Sequence, residues 1–173
     1  MGLASELGYR YSKPNRVQRL VQSFASSRIG AWLTPKTLVP LDRWATRLTH
    51  GRLSLPVVLA ALPVVTLATT GRKSGLPRQH HLLAIPHRDD LALIGTNFGQ
   101  AGTPAWSLNL SANPRATVSY GGMTRNVVAR PATARERTDI IRTAATNFSG
   151  AGHYEQRLEG RRPLPVFVLR GSD

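Results

Sequence analysis

The 173-residue sequence predicts a mainly β fold with flanking helices (α+β), in which about six short, mostly antiparallel strands form a small barrel or sandwich. Two observations predict it. From residue 64 onwards, short runs of Val, Leu and Ile alternate with turn residues, and Gly121-Gly122 joins two runs in a hairpin pattern. Hydrophobic residues make up 41% of the chain, which is enough for a packed core. The chain has no cysteine, which excludes a disulfide framework.

Residues 1–59 are predicted to form a basic, amphipathic helical segment ahead of a barrel domain at 60–173. Apolar residues recur there at helical spacing in 14–33 and 35–50. Such helices either pack on the barrel or lie on an anionic membrane surface. The most apolar stretch, 53–68, is short for a transmembrane helix and contains Pro56 and Pro63. Because no signal-peptide pattern is evident, we expect a cytoplasmic protein, either free or peripheral on the inner face of the cell membrane.

The predicted strands share an apolar, β-branched composition and lie at 64–68, 79–86, 91–96, 115–120, 124–129 and 165–169. A helix is predicted over 104–114, with Thr103 as its N-cap and Pro104 as its first helical position. A second helix begins at Thr133 and Glu136, which have the spacing of a capping box, and ends near 149–150. Its apolar stripe is expected to face the barrel and consists of Ile140, Ile141, Ala144, Ala145 and Phe148.

The connection TTGRKSGLPR, at 69–78, carries more cations and hydroxyls than a plain hairpin needs. Arg72, Lys73 and Arg78 can surround an anion, while Ser74 and the turn amides can donate hydrogen bonds to phosphate oxygens. The spacing of a Walker A loop is absent. The net charge of +14 also favours an anionic ligand or partner. The spacing alone leaves two interpretations open, an anion-binding turn and a solvated basic hairpin tip.

Other polar signals along the chain are weaker. The stretch 95–106 joins a strand to a helix and could meet a ring system, and Trp106 there could stack on a ligand or belong to the core. His80 and His81 are adjacent, so on a strand they point to opposite faces, and with His87 they do not have a metal-ligand spacing. We therefore expect no metal site. The absence of an arguable acid–base set favours chemistry carried by a cofactor.

Four segments occur in order over about residues 60–170: LATTGRKSGLPR, GTNFG, PAWSLNLSANPRATV and LPVFVL. Their combination resembles the deazaflavin-dependent nitroreductase and F420H2-dependent quinone reductase family of actinobacteria. The resemblance implies a split β-barrel related to the FMN-binding barrels. It also implies an F420H2-dependent reductase that transfers a hydride from reduced coenzyme F420 to an electrophilic small molecule, namely a quinone, an enone or a nitro compound.

The resemblance also implies roles for individual residues. Arg72, Lys73, Ser74 and Arg78 would hold the phosphate and glutamate tail of the cofactor. The remaining cofactor-binding residues that it implies are Gln79, His80, His81, Leu82, Ile94, Gly95, Thr96, Asn97, Ala105, Trp106, Ser107, Leu108 and Asn109.

The acceptor side of the site departs from the family pattern. Where nitro-activating members often have three tyrosines, this chain has Phe148, Ala151 and Tyr154, and Ser107 replaces a common tyrosine. Tyr154 and His153 are therefore the candidate catalytic residues, as proton donors or hydrogen-bond donors to a developing oxyanion.

Two alternatives remain beside this interpretation. One is an FMN- or haem-binding split-barrel protein. The other is a non-enzymatic basic module that binds a membrane or nucleic acid. We do not expect nucleic acid as a partner, because the cations are dispersed along the chain and no aromatic strand platform is evident.

Overall fold

A computed structural model describes residues 2–9, 64–97, 102–147 and 164–172. Six strands form a closed barrel in the order β1-β2-β3-β6-β5-β4, with every neighbouring pair antiparallel. The strands are β1 (Val64–Thr70), β2 (Pro77–His87), β3 (Asp90–Ile94), β4 (Arg115–Tyr120), β5 (Met123–Pro131) and β6 (Val166–Gly171). The helices are α1 (Leu3–Glu6), α2 (Ala105–Ala112) and α3 (Ala134–Asn147). The expected barrel of about six antiparallel strands is confirmed. The helices predicted within 14–50 lie outside the described residues.

Alternation along the strands places the barrel core. In β1 every second residue is buried, so Val65, Leu67 and Thr69 point inwards. The predicted strands have the right order, although several ends were wrong. For example, β2 begins at Pro77 and not at 79, because Thr70 and Pro77 are still paired across β1 and β2. Strand β3 ends at Ile94 and not at 96, because its pairing with β6 stops at Val166.

Two short helices fill the ends of the barrel with apolar side chains. Helix α1 lies beside the β2–β3 hairpin, where the Ala4 N–H donates to the Asp89 carbonyl at 3.1 Å. It places Leu3 and Leu7 in the barrel core. Helix α2 adds Trp106 and Leu110 to the same core. The residues described within 1–59 therefore belong to the packing of the barrel.

Helix α3 covers part of the outer barrel surface. Ile140 and Ala144 are buried against outward-facing side chains of β2, β3 and β6, such as Ala92. The predicted stripe is narrower in the structure, because Ile141 is only partly buried and Ala145 is exposed. No helix within the described residues is long and apolar enough to cross a bilayer.

The ends of the helices test the predicted caps. The capping box of α3 is confirmed, because the Thr133 N–H donates to Glu136 at 3.0 Å and the Glu136 N–H donates to the Thr133 hydroxyl at 3.3 Å. The prediction of Thr103 as N-cap of α2 was wrong. Pro104 occupies that position in an extended conformation, and it has no side chain that could cap the helix. Helix α2 consequently begins at Ala105.

Candidate cofactor site

The connection between β1 and β2 is a closed turn of residues 71–76. The Gly71 N–H donates to the Leu76 carbonyl at 2.8 Å, and the Gly75 N–H donates to the Gly71 carbonyl at 2.7 Å. Gly75 has a φ of 67°, in the left-handed region that favours glycine. A Cβ on Gly71 would lie 2.8 Å from the Ser74 hydroxyl oxygen. Both glycines are therefore needed for the compact shape of the turn.

The turn presents its cations to solvent. Arg72, Lys73 and Arg78 are exposed, and none of them forms an ion pair with a residue in the described ranges. Cations that are close together and unpaired repel one another, and a bound anion relieves that repulsion. The turn therefore fits the phosphate and glutamate tail that the sequence resemblance implies.

The side chain of Asn109 in α2 forms hydrogen bonds both to the turn and to β1. The Asn109 side-chain oxygen Oδ1 accepts a hydrogen bond from the Arg72 N–H at 3.1 Å. Its amide nitrogen Nδ2 donates to the Thr69 hydroxyl at 3.0 Å. Asn109 is 5% exposed and Thr69 is 3% exposed. The contact of Asn109 with the turn is therefore a buried one, and its predicted contact with the cofactor stays a prediction.

The residues that follow the turn divide between two faces of β2. Opposite residues in an antiparallel pair share a face, so His80 lies on the inward face with Leu67. Arg78 lies on the same face, opposite Thr69. The His80 nitrogen Nε2 is buried and has no hydrogen-bond partner within the described part of the chain. Burial lowers the pKa of His80, and the neighbouring His81 lowers that pKa further, so its imidazole is neutral near pH 7.

The alternate residues of the same strand point outwards. Gln79 and His81 are exposed, and the His81 ring nitrogen Nδ1 lies 3.1 Å from the Thr66 hydroxyl. Leu82 shares the inward face with Val65 and packs against the core. Of the predicted residues 79–82, His80 and Leu82 therefore lie on the inward face of β2, and Gln79 and His81 lie on its outward face.

The end of β3 and the loop that follows it pack closely against other segments of the chain. Gly95 is buried, and a Cβ there would lie 2.5 Å from the Pro165 ring. Asn97 has a φ of 47°, and its amide nitrogen Nδ2 donates to the Gly102 carbonyl at 2.8 Å. Ile94 and Thr96 flank this tight approach and are partly buried. The segment 94–97, which is predicted to bind the cofactor, therefore packs closely on Pro165 and is hydrogen-bonded to Gly102.

Helix α2 turns most of its predicted ligand residues into the protein. Trp106 is 4% exposed and its ring makes an edge contact with Phe167, at 5.9 Å between ring centroids. The Ser107 hydroxyl donates to the Pro104 carbonyl at 2.9 Å. Ala105 is exposed and Leu108 is partly buried. In this structure Trp106 is a core residue, and its predicted contact with the cofactor stays a prediction.

Two predicted catalytic residues, His153 and Tyr154, lie outside the described residues, and so do Phe148 and Ala151. The sequence counts Thr69 among the hydroxyls of the connection 69–78 that could donate to phosphate, whereas the structure brings its hydroxyl to the Asn109 side chain. Its hydroxyl is part of the Thr-Thr pair before the glycine, but the sequence contains no signal that this hydroxyl would meet a side chain in α2.

The fold defines a class, the split-barrel proteins, and the exposed cations at the β1–β2 connection are compatible with an anionic cofactor. A family model described as F420H(2)-dependent quinone reductase matches residues 42–171. The chain therefore belongs to that family, and the expected F420H2-dependent reductase with reduced F420 as its cofactor is confirmed.

Individual relatives agree with this assignment. The F420H(2)-dependent quinone reductase Rv1261c of Mycobacterium tuberculosis is 29% identical over 122 residues, which are 70% of this chain and 81% of that protein. A solved structure of an F420-H2 dependent reductase (FDR-A) is 28% identical with a TM-score of 0.56, over 62% of this chain and 93% of that one. Another solved chain, described as a domain-swapped dimer, is 26% identical with a TM-score of 0.57, over 80% of this chain and 96% of its own. The split-barrel fold is thereby confirmed.

Proposed function

We propose that this enzyme reduces a quinone-type acceptor with F420H2 and that the turn of residues 71–76 binds the anionic tail of the cofactor. One observation carries the proposal. Arg72 and Lys73, in a turn closed by short backbone hydrogen bonds, and Arg78, just after it in β2, are exposed and form no ion pair among the described residues. A turn that is already ordered loses little conformational entropy when it binds an anion.

The residues of this chain would bind the cofactor, orient it for hydride transfer and shield the site from water. When bound, reduced F420 supplies the hydride. Arg72, Lys73 and Arg78 would fix the tail, and this fixed end would orient the rest of the molecule for transfer. The neutral imidazole of His80 shares the face of Arg78, so it adds a hydrogen-bonding group without another charge. The apolar core around Trp106 and Leu110 would exclude water from the inner end of the site.

The electron acceptor is assigned to a chemical class and not to a particular compound. The family description supports a quinone, while an enone or a nitro compound remains a finer proposal. We assign His153 and Tyr154 as the groups that donate a proton to the reduced acceptor or hydrogen-bond its developing oxyanion. Nitroimidazole activation is poorly supported, because only one of three family tyrosine positions carries a phenol.

The cofactor assignment is tested by binding. Titration of the full chain with oxidised F420 and with FMN, followed by fluorescence, should give affinity for F420. The double variant Arg72→Ala and Lys73→Ala should weaken F420 binding by at least about a hundredfold, since charge-assisted contacts contribute about 1.5–3 kcal/mol each and two of them together about 3 kcal/mol or more. The variant Arg135→Ala and Arg142→Ala removes two exposed cations from α3 and serves as the control, with F420 affinity within about threefold of wild type. Equal losses in the two double variants would reject the turn as the tail site.

Membrane contact of residues 10–59 is a separate proposal, supported by the basic amphipathic sequence pattern. Deleting residues 1–59 is a poor test, because Leu3 and Leu7 lie within them and belong to the barrel core. Charge reversal at Arg16 and Arg19 in the full chain leaves that packing in place. We expect the reversed protein to float less with vesicles that contain anionic lipid. Equal flotation of both proteins would contradict the proposal.

A further inference from the structure

The backbone N–H groups of the turn divide into those engaged by the fold and those left over. The N–H groups of Gly71 and Gly75 are engaged within the turn, as described above. The Leu76 N–H donates to the Ser74 hydroxyl oxygen at 3.3 Å. The Arg72 N–H is engaged by the side chain of Asn109 in α2. Four of the six N–H groups are thus occupied.

The other two N–H groups belong to Lys73 and Ser74. Neither donates to any group in the parts of the chain that the structure describes. Both residues are exposed, and they are consecutive. The Ser74 hydroxyl oxygen accepts from Leu76, so its own proton is free to donate elsewhere. Consecutive free N–H groups on a fixed turn are a common binding element for oxyanions.

Asn109 engages one of the four occupied N–H groups, that of Arg72. It is the link between the turn and a helix held in the core by Trp106, three residues earlier in α2. Asn109 is almost completely buried, and its side-chain hydrogen bonds reach the Arg72 N–H and the Thr69 hydroxyl. Loss of its side-chain oxygen would release the Arg72 N–H and loosen the second residue of the turn.

We propose that Asn109, with Thr69, is a positioning residue that holds the turn so that the N–H groups of Lys73 and Ser74 and the Ser74 hydroxyl bind the phosphate of the cofactor tail. The proposal rests on the function proposed above and specifies atoms for the same site. In this role Asn109 acts through the N–H group of Arg72, and Thr69 acts through the Asn109 side chain.

The test uses the full chain and two ligands. Oxidised F420 is compared with the same deazaflavin carrying only its ribityl chain, without phosphate and glutamates. Asn109→Leu keeps the number and branching of the side-chain heavy atoms and removes both hydrogen bonds. We expect it to weaken F420 binding about tenfold and to change the affinity for the tail-less deazaflavin less than about twofold. A role in general stability alone would lower both affinities together, and that result would overturn the proposal.

Substitutions at Thr69 keep the test decisive if Asn109→Leu folds poorly. Thr69→Val is nearly isosteric and leaves the bond between Asn109 and Arg72 possible, so a loss of about threefold for F420 is expected. Thr69→Ser keeps the hydroxyl and should restore wild-type affinity. Wild-type F420 affinity in Thr69→Val would overturn the assignment of Thr69 and Asn109 as a pair.

Amide NMR separates failure of this proposal from failure of the proposed function. Titration with inorganic phosphate should shift the N–H signals of Lys73 and Ser74 in the wild type and much less in the Thr69→Val and Asn109→Leu variants. The N–H signals of Gly71 and Gly75 should respond weakly in all proteins. A protein that shows these shifts without binding F420 would reject the cofactor and retain the positioning role. Unresponsive Lys73 and Ser74 signals would reject the positioning role whatever the cofactor.

Discussion

Replacement of Glu136 by Gln should destabilise the junction between β5 and α3. The Glu136 carboxylate accepts from the Arg130 guanidinium at 2.7 and 2.6 Å and from the Thr133 N–H and hydroxyl at 3.0 and 3.1 Å. Its side chain is only 12% exposed. Gln has the same shape, but it is uncharged and replaces one acceptor oxygen with an NH2 group. One donor of Arg130 or Thr133 therefore loses its partner.

The size of this effect follows from the exposure of the pair. Hydrogen bonds to charged groups contribute about 1.5–3 kcal/mol, and Arg130 is 43% exposed, so solvent screening reduces the expected loss to about 1–2 kcal/mol. For a chain of this length the melting temperature should fall by about 2–8 °C. Urea unfolding and thermal melts followed by circular dichroism measure both quantities.

The matched control is the exposed ion pair of Glu6 with Arg125, in which the two side chains are 35% and 38% exposed. Glu6→Gln should change the free energy of unfolding by less than about 0.5 kcal/mol. If Glu6→Gln and Glu136→Gln destabilise the protein equally, the argument from burial and hydrogen bonding is refuted.

Three further predictions follow from the same structure. The hydrogen bonds from Arg130 and Thr133 hold the pKa of Glu136 far below its ordinary 4.5, so the stabilisation by this carboxylate is present above about pH 4.5 and is lost as the pH falls. Urea titrations from pH 7 down to about pH 3 should show the unfolding free energies of the wild type and Glu136→Gln converging in acid. A difference that widens in acid would contradict this. Leu7→Ala should lower the free energy of unfolding by about 2–4 kcal/mol, whereas Leu76→Ala, at a 59% exposed position, should lower it by less than about 0.5 kcal/mol. Equal losses would place Leu7 outside the core. Gly71→Ala should weaken F420 binding about tenfold in a fluorescence titration, because its Cβ would displace the Ser74 hydroxyl, and unchanged affinity would mean that the turn tolerates that displacement.

Local signals made much of the fold predictable from the sequence. Gly121 and Gly122 have φ values of 56° and 85°, as a tight hairpin turn requires, and they join β4 to β5. The Thr133 and Glu136 spacing marked the start of α3 correctly. Each of these signals lies within four residues of the chain, so no tertiary information is needed to interpret them.

Contacts between distant residues were not predictable in the same way. Thr69 and Asn109 are 40 residues apart, and neither residue type identifies its partner. Leu3 and Leu7 lie in and beside a helix of only four residues, which is too short to show a hydrophobic period. The cations at 72, 73 and 78 were recognisable by composition, whereas the engagement of the Arg72 N–H by Asn109 is revealed only by the tertiary structure.

The most direct test of the account is the steady-state oxidation of F420H2 with a soluble quinone as acceptor, measured for the wild type and for the Arg72→Ala and Lys73→Ala double variant. The account predicts turnover by the wild type and, in the variant, a KM for F420H2 raised by at least about tenfold with a much smaller change in kcat. Absence of F420H2 oxidation by the wild type, together with micromolar binding of FMN, would contradict it.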